Sequence, residues 1–218
     1  MHTFTEENYL KVIYHLSQVS TDAVQTNAIA ERMQTKAASV TDMLKKLSEK
    51  KLVDYIRYQG VTLTLKGKTA AVSIVRKHRL WEVFLVDKLK FKWDEVHDIA
   101  EELEHINSSV LIDRLDDFLG FPKRDPHGDP IPDRKGVFEL SENVHLHQLG
   151  KNDRGIIIGV TEHSTPFLKH LDKLGLTIGI DLKVTDITEF DGSVELTVEG
   201  KIISISKEVA QHILIKHY

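Results

Sequence analysis

Apolar side chains recur every three or four residues through the first 73 residues, a spacing typical of helices that bury one face. These stripes predict a helix beginning near Thr5, a second over residues 27–33 capped by Thr26, and a third over residues 37–50. Only residues 34–36 separate the second helix from the third, which is typical of a helix-turn-helix. Alternation around Gln59 and Gly60 then predicts a β-hairpin. We therefore predict a winged helix-turn-helix domain over residues 1–73.

Longer apolar stripes follow in the middle of the chain. They predict a helix from about residue 68 to residue 89, another over residues 94–106 with Asp94 as N-cap, and a third over residues 108–119. Gly120 and Pro122 are stop signals for the last of these helices, and a proline-rich turn occupies residues 125–132. The pattern predicts a separate helical domain over residues 74–138.

Short β-type stretches replace the helical stripes in residues 139–218. Strands are predicted over residues 156–161, 181–187, 194–198 and 201–205, with a short helix over residues 167–174. Glycine and aspartate lie in the turns between them, which is typical of a small β barrel. The predicted fold class is therefore mainly α, with a C-terminal small β barrel.

The helix predicted over residues 94–106 carries candidate metal ligands. At about 100° per residue, two imidazoles and two carboxylates fall within an arc of roughly 100°. They are His97, Glu101, Glu104 and His105. The carboxylates repel each other unless a cation neutralises them. A second pair, His78 and Glu82, is four residues apart on the preceding helix. A divalent metal site is the specific interpretation, and a solvated acidic helix face is the alternative.

Composition narrows the possible chemistry and partners. The 218 residues include no cysteine, which excludes disulfides, thiolate zinc sites and cysteine nucleophiles. No apolar run has the length of a membrane span and no signal-peptide pattern is present, so we expect a cytoplasmic protein. The net charge is −4, yet residues 1–73 hold 10 Lys and Arg against 7 Asp and Glu. This excess of positive charge suits an anionic partner for the first domain.

If the winged domain binds DNA, its third helix enters the major groove. The outward positions of that helix and one hairpin residue are the candidate contacts: Lys36, Ala38, Ser39, Thr41, Asp42, Lys45, Lys46 and Arg57. Lysines neutralise phosphates, whereas serine, threonine and aspartate reach base edges. A winged helix used for protein contacts, or a merely solvated lysine face, is the alternative.

Three motifs carry a resemblance to a known family. They are Arg76-Lys-His-Arg-Leu-Trp-Glu82, Val96-His-Asp-x-Ala-x-x-x-Glu-His105 and Pro126-His-Gly-x-Pro-Ile-Pro132. Over essentially its whole length, the chain resembles the metal-dependent transcriptional regulators of the diphtheria toxin repressor type. Residues 139–218 resemble the SH3-like, FeoA-type domain that ends longer family members. The resemblance implies a homodimer, with residues 74–138 as the dimerisation and metal-binding domain.

The resemblance also implies two adjacent metal sites. An ancillary site would take His78, Glu82 and His97. A primary, activating site would take Glu101, Glu104, His105 and a first-helix ligand at Asn8, with Glu7 as a substitute. Glu162 lies in about the loop from which some relatives supply a further ancillary ligand.

Two positions on the first helix depart from the family pattern. Iron-type members have Met at the position of Asn8 and Cys at that of Glu101, whereas manganese-type members have an acid at both. Glu101 follows the manganese pattern and Asn8 follows neither. Lys11 stands where some manganese-type members have a further acid.

Ligand chemistry and resemblance together predict a metal-activated repressor of metal-homeostasis genes that binds palindromic operators and is not an enzyme. A set of oxygen and nitrogen donors without sulfur suits Mn²⁺ or Fe²⁺ and does not separate the two. The resemblance of Glu101 to the manganese pattern favours Mn²⁺, with Fe²⁺ as the alternative. A di-iron carboxylate enzyme is a rival, since Glu102 and His105 form a Glu-x-x-His, but such bundles use that motif twice. The third hypothesis is a DNA-binding dimer that responds to a different effector and in which the acidic residues are structural. Neither a membrane nor a small organic substrate is expected.

Overall fold

The chain forms two compact units in the computed structural model, which describes residues 2–19, 22–139 and 142–218. The first unit comprises residues 1–78, 101–109 and 132–137. The second comprises residues 79–100, 110–131 and 138–218. Among the described residues, every helix is too short or too polar to cross a membrane.

The first unit begins with three helices and a hairpin. Helices α1 (Phe4–Val19), α2 (Thr26–Arg32) and α3 (Ala37–Glu49) precede the antiparallel strands β1 (Val53–Ile56) and β2 (Gly60–Leu63). The predicted helix-turn-helix and hairpin are confirmed, with a correction at the start of α2. Thr26 is helical rather than the cap, and Gln25 precedes it. The Gln25 side chain instead donates hydrogen bonds to the backbone oxygens of Ala23 and Gln59.

The middle of the chain holds α4 (Leu65–Asp87), α5 (His97–Leu103) and α6 (Ser109–Phe118). The prediction of one helix over residues 94–106 was wrong at both ends. Asp94 precedes α5, and its carboxylate lies 3.6 Å from the Lys169 ammonium group instead of capping a helix. At the other end, the Ile106 amide donates to the Leu103 carbonyl in a tight turn, and polar Asn107 follows. This turn ends the helix at Leu103, earlier than predicted.

The C-terminal part of the second unit is an antiparallel sheet with two helices. Its elements are β3 (Val144–His145), β4 (Arg154–Val160), α7 (Thr165–Leu174), β5 (Asp181–Ile187), β6 (Val194–Val198), β7 (Lys201–Ile205), α8 (Lys207–Gln211) and β8 (Ile213–His217). The strand order is β3-β8-β4-β5-β6-β7. Alternate strand residues such as Ile157, Leu182 and Leu196 are buried with Leu168 and Leu171 of α7. The sequence pattern missed β3 and β8, and the closed barrel stays a prediction.

Candidate functional site

Helix α1 brings two polar side chains, Glu7 and Lys11, to the segment that contains Glu101, Glu104 and His105. The Nζ of Lys11 lies 3.1 Å from Glu101 Oε1 and 2.7 Å from Glu104 Oε1. Glu104 is fully buried, and the side chain of Lys11 is 11% exposed. An ion pair with so little solvent is screened far less than a surface pair. The predicted primary set therefore contains a protein cation as well as acids.

Two histidines complete this cluster. His78 Nδ1 lies 2.7 Å from Glu104 Oε2, and His105 Nδ1 lies 2.7 Å from Glu7 Oε2. Burial of Glu104 alone would raise the pKa of its carboxyl group. The hydrogen bond from His78 and the charge of Lys11 outweigh burial, and they hold that pKa below its usual value. Glu104 is thus an ionised, buried ligand candidate.

The donor chemistry of the primary set fits a hard divalent ion. Asn8 Oδ1 is buried and accepts no hydrogen bond from any described residue, so an amide oxygen of α1 lacks a protein partner. A buried oxygen of this kind is costly unless something else satisfies it. Oxygen and imidazole donors suit such an ion. Glu101, Glu104 and His105 nevertheless form no compact ligand group within the part of the chain that the structure describes.

The predicted ancillary ligands lie on α4 and α5. Glu82 is 2% exposed, and its Oε1 lies 3.6 Å from His97 Nδ1. His78 precedes Glu82 by one turn of α4, as the spacing predicted. The Nδ1 of His78 bonds to Glu104.

Sequence reasoning missed a buried group around Glu82. The ligand atoms of Glu82, Asp125 and His127 all lie within 4.8 Å of one another. His127 Nδ1 is 3.5 Å from Glu82 Oε2, and its Nε2 is 2.8 Å from the Trp93 carbonyl. Burial alone would lower the pKa of His127, but Glu82 and Asp125 raise it to about 9. A protonated His127 therefore orients Glu82 and competes with a metal for the group. The motif Pro126-His-Gly was noted in the sequence, but nothing in the sequence indicated that its histidine contacts Glu82.

Glu162, the predicted further ligand, has another role in the structure. Its carboxylate accepts a hydrogen bond of 2.8 Å from the Ser164 amide just before α7, and this bond lowers its pKa. The neighbouring His163 stacks on His127, with ring centroids 4.7 Å apart. The loop after β4 thus contributes an imidazole, which the sequence did not indicate.

The candidate DNA-binding face is on α3 and the hairpin. Val40, Leu44 and Leu47 are buried, and this leaves six of the predicted contact residues on α3 or just before it exposed: Lys36, Ala38, Ser39, Asp42, Lys45 and Lys46. Thr41 is half-buried, and its hydroxyl donates to the Ala37 carbonyl at 3.0 Å. Arg57 stacks over the exposed ring of Tyr58 at the hairpin tip, 4.8 Å from its centroid.

Lys45 and Lys46 should act through phosphates. Replacing either by Ala should weaken binding to all DNA sequences alike and lower the slope of log affinity against log salt by about one unit. Among the described residues, Lys45 forms its ion pair with exposed Asp42, at 3.3 Å, so the fold should not depend on it. Lys151→Ala, which removes a similarly exposed pair with Asp186, is the control for total charge. A loss confined to one DNA sequence, at unchanged slope, would identify a base contact instead.

Three family models match the chain in order. They describe the iron-dependent repressor N-terminal DNA-binding domain (residues 1–61), the iron-dependent repressor metal-binding and dimerisation domain (residues 64–133) and the FeoA domain (residues 144–217). A DNA-binding helix-turn-helix followed by a metal-binding module defines a metal-responsive gene regulator.

Individual relatives agree with these matches. The iron-dependent repressor IdeR of Mycobacterium leprae is 28% identical over 226 residues, 97% of this chain and 96% of that protein. The transcriptional regulator MntR of Oceanobacillus iheyensis is 34% identical over 65% of this chain and 94% of its own. A solved manganese-dependent transcriptional repressor in complex with manganese is 36% identical, with a TM-score of 0.88 over 98% of this chain and 100% of that one. The chain belongs to the iron-dependent, or diphtheria toxin repressor, family. It is a metal-dependent transcriptional repressor, not an enzyme.

Proposed function

We propose that this repressor is activated by Mn²⁺ and binds, as a homodimer, palindromic operators of metal-homeostasis genes. The observation that carries the proposal is the ligand set around the buried Glu104 and His105, which offers carboxylate, amide and imidazole donors and no sulfur. Such donors suit Mn²⁺ and Fe²⁺ better than softer ions. Likeness to manganese-dependent repressors favours Mn²⁺. Fe²⁺ is the second candidate because IdeR relatives match nearly the whole chain.

The proposed ligands follow the two sets described above. Asn8, Glu101, Glu104 and His105 would hold the activating ion, and His78, Glu82 and His97 the ancillary ion. Glu162 has weaker support, since its carboxylate already accepts from Ser164. A bound divalent ion supplies positive charge that neutralises the carboxylates and a centre that ligands from separate segments share. Domain boundaries at 1–73, 74–138 and 139–218 are part of the proposal.

Helix α1 would couple the metal set to the DNA-binding face. It packs against α2 and β2, and α2 packs against α3. Holding Asn8 beside residues 101–105 therefore restrains the helix that leads into the winged fold. The ion activates if its ligands are better placed in the DNA-competent arrangement than in others, since only differential affinity shifts an equilibrium.

The homodimer is supported by an apolar face on α6. Val110 and Phe118 are 62% and 64% exposed, and Phe121 just beyond the helix is 52% exposed. Large apolar side chains grouped in this way commonly mark a protein interface. A dimer would also present two recognition helices to two half-sites about one DNA turn apart.

Operator binding with and without metal tests the proposal. Operator sites would first be selected from random duplex DNA in the presence of Mn²⁺, and affinities then measured in excess chelator and across Mn²⁺, Fe²⁺ and Zn²⁺ series. We expect operator binding to require metal. We also expect the free Mn²⁺ concentration that activates binding to be lower than the free Fe²⁺ concentration that does so. Equal operator affinity in chelator and in Mn²⁺ would overturn metal activation. Activation by Fe²⁺ alone would identify Fe²⁺ rather than Mn²⁺ as the activating ion.

A further inference from the structure

The ammonium group of Lys11 lies between the two carboxylates proposed to bind the activating ion. Its Nζ is 3.1 Å from Glu101 Oε1, and it contacts both oxygens of Glu104, at 2.7 and 2.9 Å. Each of these acids is a charged ligand in the proposed primary set. The Lys11 ammonium group therefore already neutralises the carboxylates that a metal ion would need as charged ligands.

Burial makes this contact different from an ordinary surface ion pair. The Glu104 side chain is 0% exposed and that of Lys11 is 11% exposed. The pair between Lys45 and Asp42, by contrast, has side chains 61% and 71% exposed. Solvent screens the exposed pair, whereas a buried carboxylate is strongly unfavourable without a partner. Glu104 thus depends on a nearby cation whether or not metal is bound.

We propose that Lys11 is an internal counter-cation of the primary metal site, and that a divalent ion binds to Glu101 and Glu104 by displacing its ammonium group. The proposal rests on the proposed function, because it concerns the same ligands. Two cations cannot share the same two carboxylates closely, since they repel each other. Metal binding is therefore an exchange, and the strength of the Lys11 contact helps to set the metal concentration at which the repressor responds.

The same contact has a consequence for the metal-free protein. Lys11 belongs to α1, whereas Glu101 and Glu104 belong to the segment at the end of α5. The ion pairs therefore link these two segments before any metal arrives. Removing the ammonium group should tighten metal binding and, at the same time, loosen α1 in the absence of metal.

Calorimetric titration of Mn²⁺ into three variants tests the exchange without DNA. Lys11→Met removes the charge but keeps an unbranched side chain, and Lys11→Arg keeps the charge. Lys50→Met is the matched control. Lys50 also pairs with a glutamate, Glu6, at 2.6 Å, and Glu6 lies on α1 as Lys11 does. We expect Lys11→Met to bind Mn²⁺ about tenfold more tightly, equivalent to about 1.4 kcal/mol, and the other two to show no tightening. Unchanged or weaker affinity in Lys11→Met, or equal tightening in Lys11→Arg, would overturn the proposal.

Amine labelling of the unmodified protein gives a second test that needs no variant to fold. The extent of acetylation at Lys11 and Lys50 is measured by mass spectrometry in chelator and in saturating Mn²⁺. Exchange predicts increased labelling of Lys11 and unchanged labelling of Lys50. If Mn²⁺ activates operator binding but leaves Lys11 labelling unchanged, the exchange is wrong and the proposed function stands. If Mn²⁺ exposes Lys11 without affecting operator binding, the exchange stands and the proposed function is wrong.

Discussion

Replacing Glu104 by Gln should abolish Mn²⁺-activated operator binding and lower the free energy of unfolding of the metal-free protein by about 2 kcal/mol. Glu104 is fully buried and accepts from both Lys11 and His78. The amide keeps the volume of the side chain but removes the negative charge that a divalent ion needs. Lys11 loses its closest partner but retains Glu101, so the cost should be smaller than for a wholly unpaired buried charge.

The control for Glu104→Gln is Glu102→Gln, two residues earlier on α5 and exposed. Operator titration across a Mn²⁺ series and chemical unfolding in chelator would be measured on both variants. Only Glu104→Gln should change either quantity. If Glu104→Gln responds to Mn²⁺ at wild-type concentrations, Glu104 is not a ligand of the activating ion.

Replacing Gly128 by Ala should destabilise the second unit by about 3 kcal/mol or more. Gly128 has φ +90°, and a Cβ there would lie 2.1 Å from the Ile158 carbonyl oxygen and 2.3 Å from Gly159 Cα. Both obstacles are backbone atoms of β4, which cannot move aside as a flexible side chain can. The preceding residue, His127, accepts a backbone hydrogen bond from Val160 at 2.9 Å, and this bond presses the turn against the strand.

Gly120→Ala separates the steric effect from backbone strain. Gly120 has φ +76°, but a Cβ there meets no atom of the described residues within 4 Å. Gly120→Ala should lower the free energy of unfolding by only about 1 kcal/mol, the usual penalty for a side chain at positive φ. Thermal unfolding of both variants, with the wild type as reference, would measure the difference. If Gly128→Ala and Gly120→Ala lost equal stability, the β4 backbone would have to shift to accommodate the added Cβ, and the contact at Gly128 would not be rigid.

Local patterns were enough to predict most elements of the fold. Stripes such as Val40, Leu44 and Leu47 predict α3 because one helix face must leave water, and the structure buries all three. Strands β4 to β7 were found from apolar stretches bounded by turn residues. Strand β8 was missed: it follows α8 after a single residue, without a turn signal between them, and only its pairing with β3 and β4 defines it.

The candidate ligands were also visible in the sequence, because imidazole and carboxylate groups at helical spacing imply a shared face. Their actual arrangement depends on contacts between distant residues. Glu104 and His105 follow the end of α5, and each is paired with a residue on another helix: Glu104 with Lys11 and His78, and His105 with Glu7.

What the sequence by itself determined is most of the elements and the chemical type of the ligands, since these follow from local spacing and residue type, and its motifs were enough to indicate the family. Only the tertiary structure decided which charges neutralise each other. Lys11 and Glu104 are 93 residues apart along the chain, and His127 reaches Glu82 through a turn that Gly128 allows to approach β4. Such pairings depend on how helices pack in three dimensions, and no periodicity along the chain encodes them.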